Sequence, residues 1–263
     1  MSLFGRGFSL GLRVLLLTGV IAILITTPAT SNSYKEKDNR DPFESTNRLV
    51  FSFNVGLDQL VLEPVSIAYR DLMPNELKTP INNLLDNLQM PLSFVHSLLQ
   101  GDIDNANRAA SRFFASIPTL LLGNPFPDQN LLYEDGGQTL AIWFENPGPY
   151  IMLPVLGPSN LRDTVGIIMD FFIDPFSMVA SPGIRSIRSV GSTIRFRSAN
   201  IEQIRIMQRD SFDYYAAVKS LYEQSRENEI RNGHYKPDSM SPTIGLELDA
   251  APMLKKILDT AIK

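Results

Sequence analysis

Residues 135–163 are apolar, yet they contain too many helix- and strand-breaking residues for long regular structure. The run DGGQTLAIWFENPGPYIMLPVLGPSNLRD contains four prolines, four glycines and the only tryptophan, Trp143. Proline lacks a backbone donor and glycine permits positive φ, so we expect neither a long helix nor a regular strand here. A segment this apolar must be held by other elements that satisfy its backbone polar groups. The pattern predicts the irregular centre of a helical body.

The sequence on both sides of this segment shows helical periodicity. Asp41-Pro42-Phe43-Glu44 is typical of a helix start, with Asp41 as the N-cap and Glu44 closing a capping box. Apolar stripes at helical spacing also follow Thr79-Pro80, Asp102 and Ser159, each of which can open a helix. We expect Pro91 to interrupt the helix that follows Thr79-Pro80, and Gly101 to end it.

The carboxy-terminal half contains a basic run without acids (residues 182–200) and then a periodic segment of about 33 residues (residues 200–232), closed by Gly233. At 1.5 Å per residue that segment predicts one helix about 50 Å long. Strict alternation of polar and apolar residues never lasts more than a few positions. The predicted fold class is therefore all-α, a bundle of short amphipathic and apolar helices broken by Pro and Gly, with one long carboxy-terminal helix.

The amino terminus has the pattern of an export signal. Arg6 and Arg13 form a basic region, Val14–Ile25 is apolar, and small residues follow Pro28. The apolar run is shorter than the ~20 residues that span a bilayer, although an uncleaved anchor helix is the alternative. We divide the chain into a signal peptide (1–31), a tether (32–40), a helical domain (41–233) and a tail with a short amphipathic helix (234–263).

Composition excludes several classes of function. The chain has no cysteine, which excludes thiolate metal sites, cysteine nucleophiles and lipidation on an amino-terminal cysteine. Its formal charge of −4 argues against a nucleic-acid partner. The motifs of zinc hydrolases, serine hydrolases, P-loop proteins and dinucleotide-binding proteins are missing. We therefore predict no enzyme activity, no metal and no cofactor.

Few side chains remain as candidates for catalysis. His96 lies in an apolar helix and is expected to be a packed core or interface residue. Asp163, Asp170 and Asp174 could share one helix face for acid–base work or calcium, but pairing with arginines is the simpler interpretation. A lipid hydrolase using Ser159 or these aspartates is the weakest alternative.

Short, broken and unusually apolar helices favour a protein that lies in one leaflet of a membrane. We predict that a lipid path is lined by Phe51, Phe53, Asn54, Trp143, Tyr150, Phe171 and Phe172. The basic run supplies candidate contacts to anionic headgroups, namely Arg185, Arg188, Arg195 and Arg197. The alternative for those arginines is a solvated basic loop with no role toward lipid.

Several motifs in this order resemble one known family. They are DPFESTNRLVFSFNVGLD (41–58), PVSIAYRDLMP (64–74), NLQMP (87–91), LLQG (98–101), RFF (112–114), GQTL (137–140), GPY (148–150), LP (153–154), GPSNLRDTVG (157–166) and SFDYYAAVKSLYEQSR (211–226). Together they are similar to the MlaA/VacJ family of outer-membrane phospholipid-transport proteins. The resemblance covers about residues 41–233.

That resemblance implies a ring-like helical body at the periplasmic face of the outer membrane. Such a protein is not an enzyme: it removes mislocalised phospholipid from the outer leaflet, maintains lipid asymmetry and passes the lipid to a soluble periplasmic carrier. Some members associate with trimeric porins. The chain departs from the family at its missing lipidated cysteine and at residues 141–146, which are bulkier than the family's glycine-rich run. The alternative function is a soluble periplasmic binding or scaffold module whose apolar helices form a protein interface.

Overall fold

A computed structural model describes residues 41–129 and 132–232 of the chain. The predicted signal peptide, the tether, Gly233 and the tail from residue 234 onward lie outside the described residues. The elements in chain order are α1 (Glu44–Leu57), a π-helical turn (Asp58–Leu62), α2 (Glu63–Leu72), α3 (Asn75–Gln100), α4 (Ile103–Ser116), a 3-10 turn (Ile117–Thr119), α5 (Gly136–Trp143), β1 (Tyr150–Leu153), β2 (Gly157–Asn160), α6 (Leu161–Ile173), α7 (Pro175–Val179), α8 (Pro182–Ala199), α9 (Ile201–Asp210) and α10 (Tyr214–Ile230). The predicted all-α class is confirmed, with one small sheet added.

That sheet lies inside the Pro/Gly-rich segment, where we expected no regular strand. β1 and β2 pair antiparallel, from Tyr150 opposite Asn160 to Leu153 opposite Gly157. The turn between them places Val155 at φ 68° and Gly157 at φ 88°, so the turn uses the conformational freedom of its glycine. The strands are four residues each: Pro154 follows β1 directly, and α6 begins directly after β2.

Three helix starts differ from the predicted ones. α3 begins at Asn75, before the start that we predicted at Thr79-Pro80. α1 begins at Glu44 without a side-chain cap, because the Asp41 carboxylate is used elsewhere: it accepts hydrogen bonds from Asn47 and Tyr215. α6 is capped by Asn160, which accepts from the Asp163 backbone N–H, and not by its neighbour Ser159. The predicted caps at Asp102 and Gly101 are confirmed.

α3 continues through Pro80 and Pro91, although we expected Pro91 to interrupt it. Proline removes one intrahelical hydrogen bond and leaves carbonyls in the preceding turn without a partner. The carbonyl of Leu88, one turn before Pro91, accepts a hydrogen bond from Arg188 at 3.2 Å. Burial of Leu88, Met90 and Leu92 around the proline offsets the loss, so the helix runs for 26 residues.

The long carboxy-terminal helix predicted for residues 200–232 is wrong, because the structure divides it into α9 and α10. Ser211 has extended backbone, and the Asp213 carboxylate caps α10 by accepting from the Ala216 N–H at 3.1 Å. Arg48 of α1 also pairs with Asp213, which holds the break against the first helix. The basic run at residues 182–200 is helical as α8, so the alternative of a solvated loop is also wrong.

Candidate functional site

The Pro/Gly-rich segment is held at one edge by two asparagines of α1. Asn47 donates to the Tyr150 carbonyl at 3.0 Å and accepts from the Met152 N–H at 2.9 Å. Two turns later, Asn54 donates to the Leu153 carbonyl and accepts from the Val155 N–H, at 2.9 and 2.8 Å. The edge of β1 that faces away from β2 is therefore satisfied by side chains, which is how an isolated two-stranded sheet can be buried.

Arg226 of α10 contacts the amino-terminal ends of α5 and α6, the helices that precede and follow this sheet in the chain. Its guanidinium donates to both carboxylate oxygens of Asp135, at 2.7 and 2.8 Å, and to Asp163 at 2.8 Å. Asp135 forms a capping box with Gln138 at the start of α5, and Asp163 lies in the first turn of α6. Burial alone would raise the pKa of Asp135, but the hydrogen bonds and charge of Arg226 outweigh burial and lower it.

Three glycines let α5 and α6 touch without intervening side chains. A Cβ added to Gly136, Gly137 or Gly166 would approach its nearest neighbour more closely than 3.0 Å. At Gly166 the obstacle is the backbone of Gly136-Gly137, which cannot rotate away. The two helices therefore cross in direct backbone contact.

A second polar group lies between α3, α5 and α6. His96 is fully buried, as expected, and its two ring nitrogens lie 2.8 Å from Thr139 Oγ1 and 2.8 Å from Asp170 Oδ1. The same Asp170 oxygen accepts from the Gly136 N–H at 2.9 Å, so it also serves the start of α5. Next to it, burial raises the pKa of Glu134 to about 7, and Gln100 donates to that carboxylate.

The three aspartates at residues 163, 170 and 174 have separate partners and do not form one site. Asp163 pairs with Arg226 and Arg162, Asp170 with His96, and Asp174 with Arg188. In the described part of the chain, no three acidic or histidine side chains are arranged to hold a metal ion. Asp163 and Asp174 thus pair with arginines, as in the simpler interpretation, whereas Asp170 pairs with a histidine.

The predicted lipid-path residues divide into a packed group and a surface group. Tyr150 is buried against Tyr215, and Phe51 packs on the same cluster. Asn54 is half-buried at β1. The exposed members are Phe53, Trp143, Phe171 and Phe172. The structure thus does not bring all seven together, and their role toward lipid stays a prediction.

Three of the four predicted headgroup arginines are already engaged with carboxylates of the protein. Arg188 pairs with Asp174, Arg195 with Asp86, and the buried Arg197 with Asp58 and Glu63. Arg185 is half-buried and has a buried Nε without a hydrogen-bond partner among the described residues. The pairs show that α8 turns its arginines inward, and headgroup contact by these four stays a prediction.

Several helices turn polar side chains inward and apolar side chains outward, which is the opposite of the arrangement in a water-soluble protein. Buried polar side chains outnumber buried apolar ones among the described residues, and α6 buries Arg162 and Asp163 while it exposes Phe171 and Phe172. The outward-facing apolar residues of α6, α7 and α8 are Leu161, Val165, Ile167, Ile168, Phe171, Phe172, Met178, Val179, Ile184, Ile187, Val190 and Phe196. No helix within residues 41–129 and 132–232 is both long and apolar enough to cross a bilayer.

Comparison with known proteins gives consistent matches over this body. The family model described as "MlaA lipoprotein" matches residues 39–229. The chain is 29% identical over 221 residues to the "Intermembrane phospholipid transport system lipoprotein MlaA" of Escherichia coli (strain K12), covering 79% of this chain and 85% of that protein. It is 30% identical over 201 residues to an uncharacterised protein of Rickettsia typhi, covering 73% and 78% respectively.

A solved structure, from work on the "Structural basis for maintenance of bacterial outer membrane lipid asymmetry", has the same fold. It superposes with a TM-score of 0.61 at 28% identity and covers 72% of this chain and 98% of that chain. The overall fold of the matched part of the chain has thus been seen before.

Proposed function

Because the chain belongs to the MlaA lipoprotein family, we propose that it acts, without enzyme chemistry, in intermembrane phospholipid transport at the outer membrane. In this proposal it sits at the periplasmic face and removes mislocalised phospholipid from the outer leaflet. The names of its relatives support the general role, since they describe phospholipid transport and lipid asymmetry.

The observation that carries the proposal is the inverted surface. A soluble protein buries its apolar side chains, whereas α6, α7 and α8 turn theirs outward and pair their arginines inward. Such helices are stable where the surroundings are hydrocarbon and the interior supplies polar partners. We propose that this apolar surface holds the protein in one leaflet of the membrane.

The polar interior then offers a route for headgroups that avoids hydrocarbon. The Pro/Gly-rich segment suits the wall of such a route, because Asn47 and Asn54 satisfy its irregular backbone. Trp143 and its neighbours Ile142 and Phe144 are exposed at the end of α5, where acyl chains would meet the segment. Delivery to a periplasmic carrier, and association with a trimeric porin, are parts of the proposal that rest on the family resemblance.

The contacts of Ser159 support a role without hydrolysis. Its buried hydroxyl lies 3.2 Å from the Asn160 carbonyl and 3.0 Å from the Thr164 hydroxyl. Neither group can take its proton as a general base, which a serine nucleophile requires.

The experiment compares the native chain with two variants in cells that lack the gene. Loss of the protein should raise outer-leaflet phospholipid, and the native chain should reverse this and require detergent for extraction. A double variant, Phe172→Asp with Ile187→Asp, should leave the fold intact, because both side chains are exposed. Each charge costs about 2.5–3.5 kcal/mol at the centre of a membrane helix, so the variant should become extractable by salt.

The control is Arg209→Ser, at a side chain that is 74% exposed and pairs only with its neighbour Asp210 among the described residues. It should behave as the native chain does. Two results together would instead favour the soluble periplasmic scaffold. Salt alone would release the native protein, and deletion of the gene would leave outer-leaflet phospholipid unchanged.

A further inference from the structure

Two arginines share a single carboxylate where α3, α4 and α8 meet. Arg195 of α8 donates to Asp86 Oδ1 at 2.6 Å and to the Asn82 carbonyl at 3.3 Å. Arg112 of α4 approaches the other oxygen of Asp86 only to 3.8 Å, beyond hydrogen-bond distance. Among the described residues neither guanidinium pairs with any further carboxylate, so this group carries one positive charge in excess.

A hydrogen bond fixes the orientation of the Arg112 guanidinium, but not all of its donors have an acceptor among the described residues. It is 5% exposed, and its Nε donates to Asn87 Oδ1 at 3.0 Å. Asn87 is fixed in turn, since its amide nitrogen donates to the carbonyls of Leu121 and Gly123 at 2.8 and 2.9 Å. Within residues 41–129 and 132–232, the two terminal nitrogens of Arg112 donate no hydrogen bond. Among the described residues, this largely buried guanidinium is thus held in place by its Nε, while its terminal nitrogens have no hydrogen-bond acceptor.

Tyr133 adds a hydroxyl to the same place. The backbone on either side of it is anchored, because Asn105 donates to the Leu132 carbonyl at 3.0 Å and the Glu134 N–H donates to Ser93 at 3.2 Å. Burial raises the pKa of Tyr133 to about 12, with Asp86 adding to the rise and both arginines opposing it. The hydroxyl therefore stays protonated, and the charges of Asp86, Arg112 and Arg195 all act on it.

An excess charge with free donors in a low-dielectric interior is costly unless an anion completes it. Arginine favours phosphate oxygens, because its planar donors match them in pairs. We propose that Arg112, Arg195 and Tyr133 form a binding site for a phosphate group, of a phospholipid headgroup or of free inorganic phosphate. The lipid source rests on the proposed function.

Asp86 gives the site a means of release. It accepts a hydrogen bond from Arg195 and attracts Arg112 by charge alone, so a phosphate must compete with a resident carboxylate. Binding is then weak enough for a transported headgroup to leave, which a transfer protein requires. The Arg195 and Asp86 side chains are 33% and 14% exposed, so a headgroup can approach from that side.

The test measures affinity in the purified full chain by calorimetry in mild detergent. The probes are dihexanoyl phosphatidylglycerol, inorganic phosphate and dihexanoyl glycerol, which lacks the phosphate. Arg195→Gln should weaken phosphatidylglycerol binding about tenfold, the value of a charge-assisted hydrogen bond. Asp86→Asn should strengthen it, because the competing carboxylate is gone. Binding of dihexanoyl glycerol should be unchanged in both.

The matched control is Arg205→Gln, at an arginine that pairs with Glu63 away from this group and should bind as the native chain does. Unfolding midpoints of all variants accompany the titrations. If Arg195→Gln and Asp86→Asn both lower the unfolding midpoint and both weaken binding, the group is a structural ion pair. That result would overturn the proposal.

The two sources of phosphate separate in the same data. Inorganic phosphate that binds with the predicted variant pattern, while phosphatidylglycerol does not, keeps the anion site but rejects the lipid headgroup. Native protein that binds no phosphatidylglycerol and no dihexanoyl glycerol contradicts the transport proposal itself. Native binding of the lipid that neither Arg195→Gln nor Asp86→Asn changes contradicts only the site.

Discussion

Replacing Arg226 by methionine tests how the Pro/Gly-rich segment is held. Methionine keeps most of the length of the side chain but removes the guanidinium that joins Asp135 to Asp163. Two carboxylates at the starts of α5 and α6 then lose their common partner. Because these helices precede and follow the small sheet in the chain, we expect the whole segment to loosen from α10.

The structure sets the size of the loss. Removing one partner of a buried ion pair costs about 3–5 kcal/mol, because the remaining charge stays buried and unpaired. The Asp163 side chain is 8% exposed, whereas that of Asp135 is 34% exposed, so water can replace the partner only at Asp135. We expect the free energy of unfolding to fall by about 3 kcal/mol.

Urea unfolding in mild detergent, followed by the fluorescence of Trp143 at the end of α5, measures this loss. Arg209→Met is the control, and the loss of its exposed, solvent-screened pair should leave the free energy of unfolding nearly unchanged. Adding Asp163→Asn to Arg226→Met should recover part of the stability, because the buried Asp163 carboxylate would otherwise keep only its longer ion pair with Arg162, at 3.4 Å. Equal losses in Arg226→Met and Arg209→Met would refute the reasoning.

Acid gives an independent check on the same interaction. The pKa of Asp135 lies below its ordinary value, so the carboxylate stabilises the fold above about pH 4, the pKa of an unfolded aspartate. That contribution disappears as the pH falls through the lower, folded pKa. The difference between the native chain and Arg226→Met should therefore shrink in acid.

Two further perturbations test the neighbouring polar group and the helix crossing. Burial raises the pKa of Glu134 to about 7, so its contribution to stability is greatest below about pH 4 and is lost as the pH rises toward 7; Glu134→Gln should flatten the unfolding midpoint measured from pH 4.5 to 8, and an unchanged pH profile would contradict this. Gly166→Ala should cost about 3 kcal/mol because its Cβ meets the backbone of α5, whereas Gly56→Ala, in open space, should gain about 0.5–1 kcal/mol; similar thermal midpoints for the two would contradict the close crossing.

The local sequence was sufficient to predict a structural role where a residue interacts with its neighbours in the chain. Asp102 caps α4 and Gly101 ends α3 as predicted, because a cap or a left-handed turn needs only residues within one turn of helix. The same local rules predicted that no long helix or strand runs through the Pro/Gly-rich segment, but they did not predict the pairing of β1 with β2. Asp41 failed as a cap because a distant partner, Tyr215, takes its carboxylate.

The direction in which each helix faces was decided only by the tertiary structure. Helical periodicity shows that a helix has two faces, but it does not say whether the polar one points to water or to other helices. In α6 and α8 the polar face points inward, because Arg226, Arg188 and Arg195 find carboxylates 63, 14 and 109 residues away in the chain. The local sequence pattern does not indicate such pairs between distant residues.

The family resemblance, the all-α class and the breakers could all be read from the sequence by itself. The two-arginine group at Asp86 could not, because its members come from three helices and a connecting segment. The burial that turns Arg112 from a surface charge into a fixed donor exists only once α3 and α4 have packed. Sequence indicated most of the helices and some of their ends, whereas packing determined which charges are paired, because the partners come from distant parts of the chain.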